Sequence, residues 1–143
     1  MHNCKLFEIM TPNVKTVTSD TSLADAARMM NDNDIGWLAI VDRNRRLVGT
    51  LTDRDIVVRA VARDLSPSQA RVAEAMSSGV VSARSDQTLH DGARLMQENQ
   101  IRRIAIVDGE DKPVGVVSLG DIAKRTHDQH VVSETMEQVA APA

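Results

Sequence analysis

The segment Gly49-Thr50-Leu51-Thr52-Asp53-Arg54-Asp55 returns later in the chain as Gly115-Val116-Val117-Ser118-Leu119-Gly120-Asp121. Aligning the chain with itself in this register pairs residues 8–62 with residues 74–128 without a gap, and 21 of these 55 positions are identical. Self-similarity over so long a segment indicates a tandem duplication. We therefore divide the chain into repeat 1 (8–64), a turn-rich linker (65–73), repeat 2 (74–128) and a C-terminal tail (129–143).

Each repeat begins with an extended segment and an amphipathic helix. In repeat 1 the extended segment is residues 14–17. The helix that follows has apolar side chains at positions i, i+3, i+4 and i+7, which lie on one face. Ser22 or Thr21 can cap its N-terminus. The apolar face of this helix consists of Leu23, Ala26, Ala27 and Met30.

A β-hairpin and a second helix complete the pattern. Two short apolar runs, residues 38–41 and 47–51, flank the polar residues 42–46, as in two strands joined by a turn. Residues 56–62 predict the second helix. A repeat of this length buries too little apolar surface to be stable alone, so we expect the copies to pack together. The predicted fold is an α/β (α+β) module with pseudo-twofold symmetry. Each half is a small sheet with flanking helices, and two equivalent clefts form where the halves meet.

Composition excludes several classes of protein. The chain has 143 residues, 42% of them hydrophobic, and a net charge of −3, which is typical of a soluble globular protein and not of a dedicated nucleic-acid binder. The single cysteine, Cys4, excludes an internal disulfide and a cysteine-based zinc site. No apolar run reaches the roughly 18–20 residues of a membrane span, and the N-terminus lacks the apolar core of a signal peptide. We expect a cytoplasmic protein with no membrane partner.

The repeated motif joins a glycine, a hydroxyl and a carboxylate. A glycine inside a strand lets another group approach the backbone closely. Thr52 and Ser118 stand where the strand ends and the helix begins, and Asp55 and Asp121 follow one turn later. One interpretation is a capping box that stabilises the helix. The other is a ligand site, in which the helix N-terminus and the hydroxyl bind a phosphate and the carboxylate accepts hydrogen bonds from a ribose. The two interpretations are compatible, because the carboxylate can cap the helix in the empty state.

The double pattern Ile-x-x-Leu/Ile-Ala-Ile-Val-Asp followed by Gly-h-h-Thr/Ser-x-x-Asp, where h is apolar, resembles a tandem CBS-domain pair, or Bateman module. The resemblance covers residues 8–128, and the segment Leu51–Val57 is similar to stand-alone bacterial CBS-pair proteins, including the hypoxic-response type. It implies binding of adenosine-containing ligands such as AMP, ADP, ATP, NAD or S-adenosylmethionine. It also implies regulation of a partner protein, with no catalysis by the module itself.

The resemblance also implies roles for individual residues. Asp55 and Asp121 would hold ribose hydroxyls, and Thr52 and Ser118 would contact phosphate. The segments that would offer backbone groups to the adenine edge are Lys15-Thr16-Val17 and Val81-Ser82-Ala83. The residues that would form the apolar wall of the two sites are Ile35, Ala39, Ile101 and Ala105. In many family members a proline stands where this chain has the two alanines.

The repeats differ just before the central strand, where repeat 1 has Gly36-Trp37 and repeat 2 has Arg102-Arg103. The two arginines could hold phosphate groups in a bidentate manner or form surface salt bridges. Trp37 could stack on a base or fill the core.

Within the motif, repeat 1 carries Asp53-Arg54 where repeat 2 has Leu119-Gly120. Arg54 could contact a phosphate, whereas Asp53 would repel one. We therefore expect the second cleft to be the better site for a charged nucleotide.

Catalysis and metal binding have little support in the sequence. The four histidines are His2, His90, His127 and His130, and none stands at a recognisable spacing from a nucleophile. His127-x-x-His130 would supply only two ligands to a metal, so we expect no metal site. Arg43, Arg45 and Arg46 cluster at one turn, but without aromatic neighbours they do not indicate nucleic-acid binding.

The sequence thus predicts a non-catalytic regulatory module that binds an adenine nucleotide or NAD in clefts between two CBS repeats. Such modules commonly form homodimers, so we expect a homodimer that acts on an effector protein of unknown identity. The alternative is a dimerising interaction module that binds no nucleotide, in which Met10, Met76 or Trp37 fills the cleft.

Overall fold

The computed structural model describes residues 4–125 and 136–139. The elements in chain order are α1 (Leu6–Ile9), β1 (Thr11–Pro12), β2 (Thr16–Val17), α2 (Leu23–Asn33), β3 (Trp37–Val41), β4 (Leu47–Thr52), α3 (Asp53–Arg59), β5 (Ser82–Arg84), α4 (Leu89–Asn99), β6 (Arg103–Val107), β7 (Pro113–Ser118) and α5 (Leu119–Arg125). Short 3₁₀ turns cover Val61–Arg63 and Val72–Glu74. Within the described residues, no helix is long and apolar enough to cross a membrane.

The chain forms two compact units that do not coincide with the sequence repeats. We name Lys15–Val80 the repeat-1 unit, and Met1–Val14 together with Val81–Ala143 the repeat-2 unit. The segment that leads into each repeat therefore belongs to the unit built on the other repeat. β1 accordingly pairs with β7, and Ser77, which aligns with Thr11 in the duplication, forms the corresponding bridge with Thr50.

Each unit contains a small mixed sheet. The repeat-1 sheet has the strand order β2-β3-β4, and the repeat-2 sheet has the order β1-β7-β6-β5. In the first, β2 runs parallel to β3, and β3 runs antiparallel to β4. Strands β5, β6 and β7 repeat this pairing, and their partners are the residues that the self-alignment of the chain makes equivalent. The predicted α/β fold with two equivalent repeats is confirmed.

The predicted hairpin is present, and one side chain adds two hydrogen bonds to the backbone hydrogen bonds of its turn. The Oδ1 atom of Asp42 accepts hydrogen bonds from the backbone N–H groups of Asn44 (2.8 Å) and Arg46 (3.0 Å). Arg45 adopts the left-handed conformation, with a φ of 64°. An aspartate at the start of a turn commonly satisfies backbone donors in this way.

The first helix of repeat 1 agrees with its prediction except at one position. Ser22 is the cap, since its Oγ accepts a hydrogen bond from Asp25 N at 3.1 Å. Leu23, Ala26 and Met30 are buried in the core, but Ala27 is exposed. The inclusion of Ala27 in the apolar face was therefore wrong, because only part of that stripe packs against the sheet.

The second helix begins earlier than its predicted start at Ile56. It covers Asp53–Arg59, and the 3₁₀ turn at Val61–Arg63 replaces its predicted C-terminal end. Polar residues at the helix start carry no apolar periodicity, so the apolar pattern located only its later turns.

Candidate functional site

One face of the repeat-1 sheet is turned away from the core of its unit. Leu38 and Ile40 of β3 are buried in the core cluster, so their strand neighbours Trp37 and Ala39 point to the opposite face. The strand register places Thr16 and Thr50 beside Ala39, and Thr52 beside Trp37. We call this surface the repeat-1 strand face, made of Thr16, Trp37, Ala39, Thr50 and Thr52.

The repeat-2 unit has an equivalent surface. Ile104 and Ile106 are buried in its core cluster, which leaves Arg103 and Ala105 on the opposite face of β6. The register places Ser82 and Val116 beside Ala105, and Ser118 beside Arg103. We call this surface the repeat-2 strand face, made of Ser82, Arg103, Ala105, Val116 and Ser118. Most of each strand face consists of predicted ligand residues, namely Thr16, Trp37, Ala39 and Thr52 in one unit, and Ser82, Arg103, Ala105 and Ser118 in the other.

The hydroxyl and carboxylate of the motif form a capping box in both units. Asp55 N donates to Thr52 Oγ1 at 3.1 Å, and Thr52 N donates to Asp55 Oδ2 at 2.9 Å. The corresponding distances for Asp121 and Ser118 are 3.1 Å and 2.8 Å. The capping interpretation is confirmed. In each carboxylate, Oδ1 accepts no hydrogen bond from the described part of the chain, so it stays available to a ligand hydroxyl.

The start of α3 offers a phosphate fewer backbone donors than the sequence suggests. Asp53 N donates to Gly36 O at 3.0 Å, and Arg54 N donates to Asp53 Oδ1 at 2.8 Å. The N–H of Asp55 is bonded to Thr52, as described above. Helices α3 and α5 also have only seven residues each. A phosphate at this position would therefore depend on side-chain hydroxyls and on arginine.

The predicted adenine-contacting segments are edge strands. Thr16 in β2 and Ser82 in β5 are exposed, and each strand has a partner on one side only. An edge strand presents unpaired N–H and C=O groups along its outer side. The Lys15 carbonyl accepts a hydrogen bond from Ala39 N at 3.2 Å. Val17 is buried in the core, so only its backbone can contribute.

The residues of the predicted apolar wall do not share one surface. Ile35 and Ile101 are half-buried and pack against the core of their own units, while Ala39 and Ala105 are fully buried. Trp37 is half-buried and lies outside the core cluster of its unit.

The two arginines of repeat 2 are exposed cations. Arg103 lies directly opposite Ser118 across the β6–β7 pair. Arg102 is held through its backbone, since its carbonyl accepts a hydrogen bond from Leu119 N at 2.8 Å. Neither guanidinium forms an ion pair with a residue among 4–125 or 136–139. Both therefore remain available for an anionic ligand.

Comparison with known proteins identifies the repeat. The CBS domain family model matches residues 6–61 and 72–128. The chain belongs to the CBS-domain family. Each match contains one complete hairpin and one copy of the capping box described above.

Two curated relatives are similar in length to this chain. The chain is 39% identical over 116 residues to the CBS domain-containing protein YhcV of Bacillus subtilis, covering 81% of each chain. It is 31% identical over 135 residues to hypoxic response protein 1 of Mycobacterium tuberculosis, covering 94% of this chain and 93% of that protein. The similarity to stand-alone CBS-pair proteins expected from the sequence is confirmed.

Two similar crystal structures contain adenosyl ligands. The structure of CBSX2 in complex with AMP has a TM-score of 0.72 and 27% identity, and the match covers 85% of this chain and 94% of that one. The CBS pair of protein MJ0100, in complex with 5′-methylthioadenosine and S-adenosyl-L-methionine, has a TM-score of 0.75 and 28% identity, and covers 84% and 93%.

The repeat-1 unit also contains a cleft that sequence reasoning missed as a whole. Its volume is about 480 Å³, and it lies between the end of α2 and the start of α3. The residues that line it are Ala27, Met30, Asn31, Asp34, Ile35, Gly36, Asp53, Ile56 and Val57. The sequence does contain a signal for the acidic character of this cleft. Asp34 and Asp53 line it, whereas the equivalent positions of repeat 2 hold Gln100 and Leu119.

The described residues of this CBS pair contain no group of three or more His, Cys, Asp or Glu side chains that could hold a metal. His90 is half-buried near the start of α4, and Cys4 is a buried free thiol. His2, His127 and His130 lie outside the described residues. What the sequence predicts for the histidine pair in the tail therefore stays a prediction.

Proposed function

We propose that this CBS pair is a non-catalytic regulatory module that binds an adenosine-containing ligand, such as AMP, ADP, ATP or NAD, on its strand faces. One observation carries the proposal. A free carboxylate oxygen, a hydroxyl and an unpaired strand edge occur together twice, in the same register, once in each repeat. These three groups match the ribose, the phosphate and the adenine edge of a nucleotide.

Each part of the ligand has a partner with suitable chemistry. Oδ1 of Asp55 or Asp121 accepts hydrogen bonds from the ribose hydroxyls while Oδ2 keeps the helix cap. The outer edge of β2 or β5 supplies backbone donors and acceptors to adenine. The hydroxyl of Thr52 or Ser118 can donate its hydrogen to a phosphate oxygen, while its oxygen still accepts the hydrogen bond from the backbone N–H of Asp55 or Asp121.

The relatives support the same class of ligand. CBSX2 has been crystallised with AMP, and the CBS pair of MJ0100 with 5′-methylthioadenosine and S-adenosyl-L-methionine. Binding would change the population of conformations by no more than the difference in ligand affinity between them. An effector protein in the cytoplasm, where the adenylate pool is held, would read this change.

The experiment that tests the proposal compares two capping aspartates of the same unit. Asp121→Asn keeps an acceptor for Ser118 N but replaces the free oxygen with an NH₂ donor, so it should weaken binding of AMP by about 10- to 100-fold. Asp91→Asn is the matched control, because Asp91 forms the same box with Thr88 at the start of α4 and lies off the strand face. It should leave the affinity unchanged.

Isothermal titration of nucleotide-stripped protein with AMP, ATP and NAD measures both variants. A ligand at a hundredfold excess over its Kd also stabilises the fold by about 2.7 kcal/mol, which a thermal melt detects. Equal affinities for Asp121→Asn and Asp91→Asn, or binding of none of the three ligands, would contradict the proposal.

A surface on α3 and on the 3₁₀ turn that follows it favours self-association as a second function. Val57, Val58 and Val61 are 57%, 49% and 57% exposed, which is unusual for three valines so close in sequence. A homodimer that buries them would explain their exposure in the single chain. Sedimentation equilibrium should show a dimer for the natural chain and a shift toward monomer for Val57→Ser/Val58→Ser. A monomer at all concentrations for the natural chain would exclude this second function.

A further inference from the structure

The two units carry opposite charges at one equivalent pair of positions, which precede the first strand of each hairpin and follow the second. In the repeat-1 unit Asp53 N donates to Gly36 O at 3.0 Å, and in the repeat-2 unit Leu119 N donates to Arg102 O at 2.8 Å. These hydrogen bonds join positions that the duplication makes equivalent. The same backbone arrangement therefore bears a Gly–Asp pair in one unit and an Arg–Leu pair in the other.

In the repeat-1 unit the carboxylate takes the space of the missing side chain. A Cβ atom on Gly36 would lie 2.7 Å from Asp53 Oδ2 and 3.1 Å from its Cγ, so a side chain at this position would displace the carboxylate. Asp53 Oδ1 accepts a hydrogen bond from Arg54 N at 2.8 Å, so the carboxylate is held at this place. Asp34 adds a second carboxylate to the adjoining cleft.

In the repeat-2 unit the residue equivalent to Gly36 is an arginine. Arg102 is exposed, and its partner across the hydrogen bond is Leu119, which carries no charge. The next residue, Arg103, lies on the strand face opposite Ser118, whereas its equivalent in repeat 1 is Trp37 opposite Thr52. The hydroxyl that can contact a phosphate thus has one arginine directly opposite it, and a second arginine precedes that one in the chain.

The remaining charges of repeat 1 do not reverse the contrast. The cations at the predicted site of repeat 1 are Lys15 and Arg54, both exposed, and the carboxylates there and in the adjoining cleft are those of Asp34, Asp53 and Asp55. The equivalent positions of repeat 2 hold Arg102 and Arg103 with the single carboxylate of Asp121, because positions 81, 100, 119 and 120 are uncharged. Repeat 2 has more positive than negative groups around its site, and repeat 1 has fewer.

We propose that the two strand faces bind different classes of adenosyl ligand. The repeat-2 face takes a nucleotide with 5′-phosphates, held by Arg102 and Arg103. The repeat-1 face takes an adenosyl group without phosphate, because the Asp53 carboxylate repels an anion and Trp37 offers an uncharged aromatic surface. The inference rests on the proposed function and adds which ligand class each unit selects.

The test exchanges the charged pairs between the units in the full chain. Arg102→Gly/Leu119→Asp gives repeat 2 the pair of repeat 1, and Gly36→Arg/Asp53→Leu does the reverse. Isothermal titration with ATP and with adenosine, on nucleotide-stripped protein, measures the affinity and the number of sites. The natural chain should bind one ATP. The first variant should bind ATP about 10- to 100-fold more weakly with adenosine affinity unchanged, and the second should bind two ATP molecules.

A single substitution keeps the test informative if an exchanged pair fails to fold. Arg103→Gln should weaken ATP about tenfold or more and leave adenosine unchanged, while the control Arg94→Gln, an exposed arginine on α4, should change neither. Two equal ATP sites in the natural chain, or equal losses for ATP and adenosine in Arg103→Gln, would overturn the inference and leave the proposed function standing. Binding of neither probe would overturn both.

Discussion

Gly49 of β4 lies where neighbouring atoms leave little room for a side chain. A Cβ atom there would lie 2.8 Å from the backbone oxygen of Ser77 and even closer to the Met76 methyl group. A flexible methionine can move aside, but the Ser77 oxygen is held by the bridge with Thr50. That bridge has hydrogen bonds of 3.0 Å and 2.9 Å. Gly49→Ala therefore destabilises the fold in one of two ways.

The two ways reduce the free energy of unfolding by similar amounts. If the segment at residues 76–77 stays in place, the added methyl group overpacks the site, which typically costs about 1–3 kcal/mol. If the segment moves away, two backbone hydrogen bonds are lost, at about 0.5–1.5 kcal/mol each. We expect Gly49→Ala to lower the free energy of unfolding by about 2 kcal/mol. For a chain of this size the melting temperature should fall by about 5–10 °C.

Urea denaturation followed by circular dichroism measures the effect against a matched control. Gly79→Ala is that control, because a Cβ atom on Gly79 would meet nothing within 4 Å and its φ is not positive. It should be neutral or slightly stabilising. If Gly49→Ala and Gly79→Ala have the same unfolding free energy within error, the close approach at Gly49 does not constrain the fold as argued.

Three further predictions, tested with four substitutions, concern other parts of the fold. The hydrogen bond from Thr88 N lowers the pKa of the Asp91 carboxyl below its ordinary value. The ionised carboxylate therefore stabilises the fold when the pH is above that ordinary value, and this stabilisation is lost as acidification protonates the group. In urea titrations, Asp91→Asn should cost about 0.5 kcal/mol at pH 7 and nothing at about pH 2; a constant difference would exclude this linkage. Thermal melts should show that Ala26→Glu destabilises by about 3 kcal/mol or more and Ala27→Glu by less than about 0.5 kcal/mol, because only Ala26 is buried. Similar costs at both positions would mean that the apolar face extends to Ala27. Asp42→Ala should lower the unfolding free energy by about 1 kcal/mol, since the β3–β4 turn loses two hydrogen bonds, and an unchanged urea midpoint would show that the turn holds without them.

Local elements could be predicted where the residues themselves create them. The Asp42 turn depends only on neighbours in the same turn, so its sequence was sufficient. The cap at Ser22 is equally local. The start of α3 at Asp53 was missed because its first turn is polar and carries no apolar period. Apolar periodicity also predicted burial of Ala27, but a helix has more apolar positions than the sheet beneath it covers.

The division into compact units could not be read from the repeats. The alignment of residues 8–62 with residues 74–128 shows which residues correspond. Each copy, however, contains an equivalent leading segment and an equivalent glycine in the second hairpin strand, so the alignment does not show which segment contacts which glycine. The contact between a leading segment and a glycine depends on how the chain folds in three dimensions. In the structure Thr11 lies on Gly115 and Ser77 on Gly49.

The sequence by itself determined the family, the repeat and the kinds of chemical group at the candidate site, because those depend on residue identity and spacing. Tertiary structure alone decided where these groups lie relative to one another. Gly36 and Asp53 are separated in the chain by the whole β3–β4 hairpin, and only the hydrogen bond from Asp53 N to Gly36 O brings the carboxylate into the space that Gly36 leaves empty. The charge at that place is therefore a property of the folded hairpin and not of either residue alone.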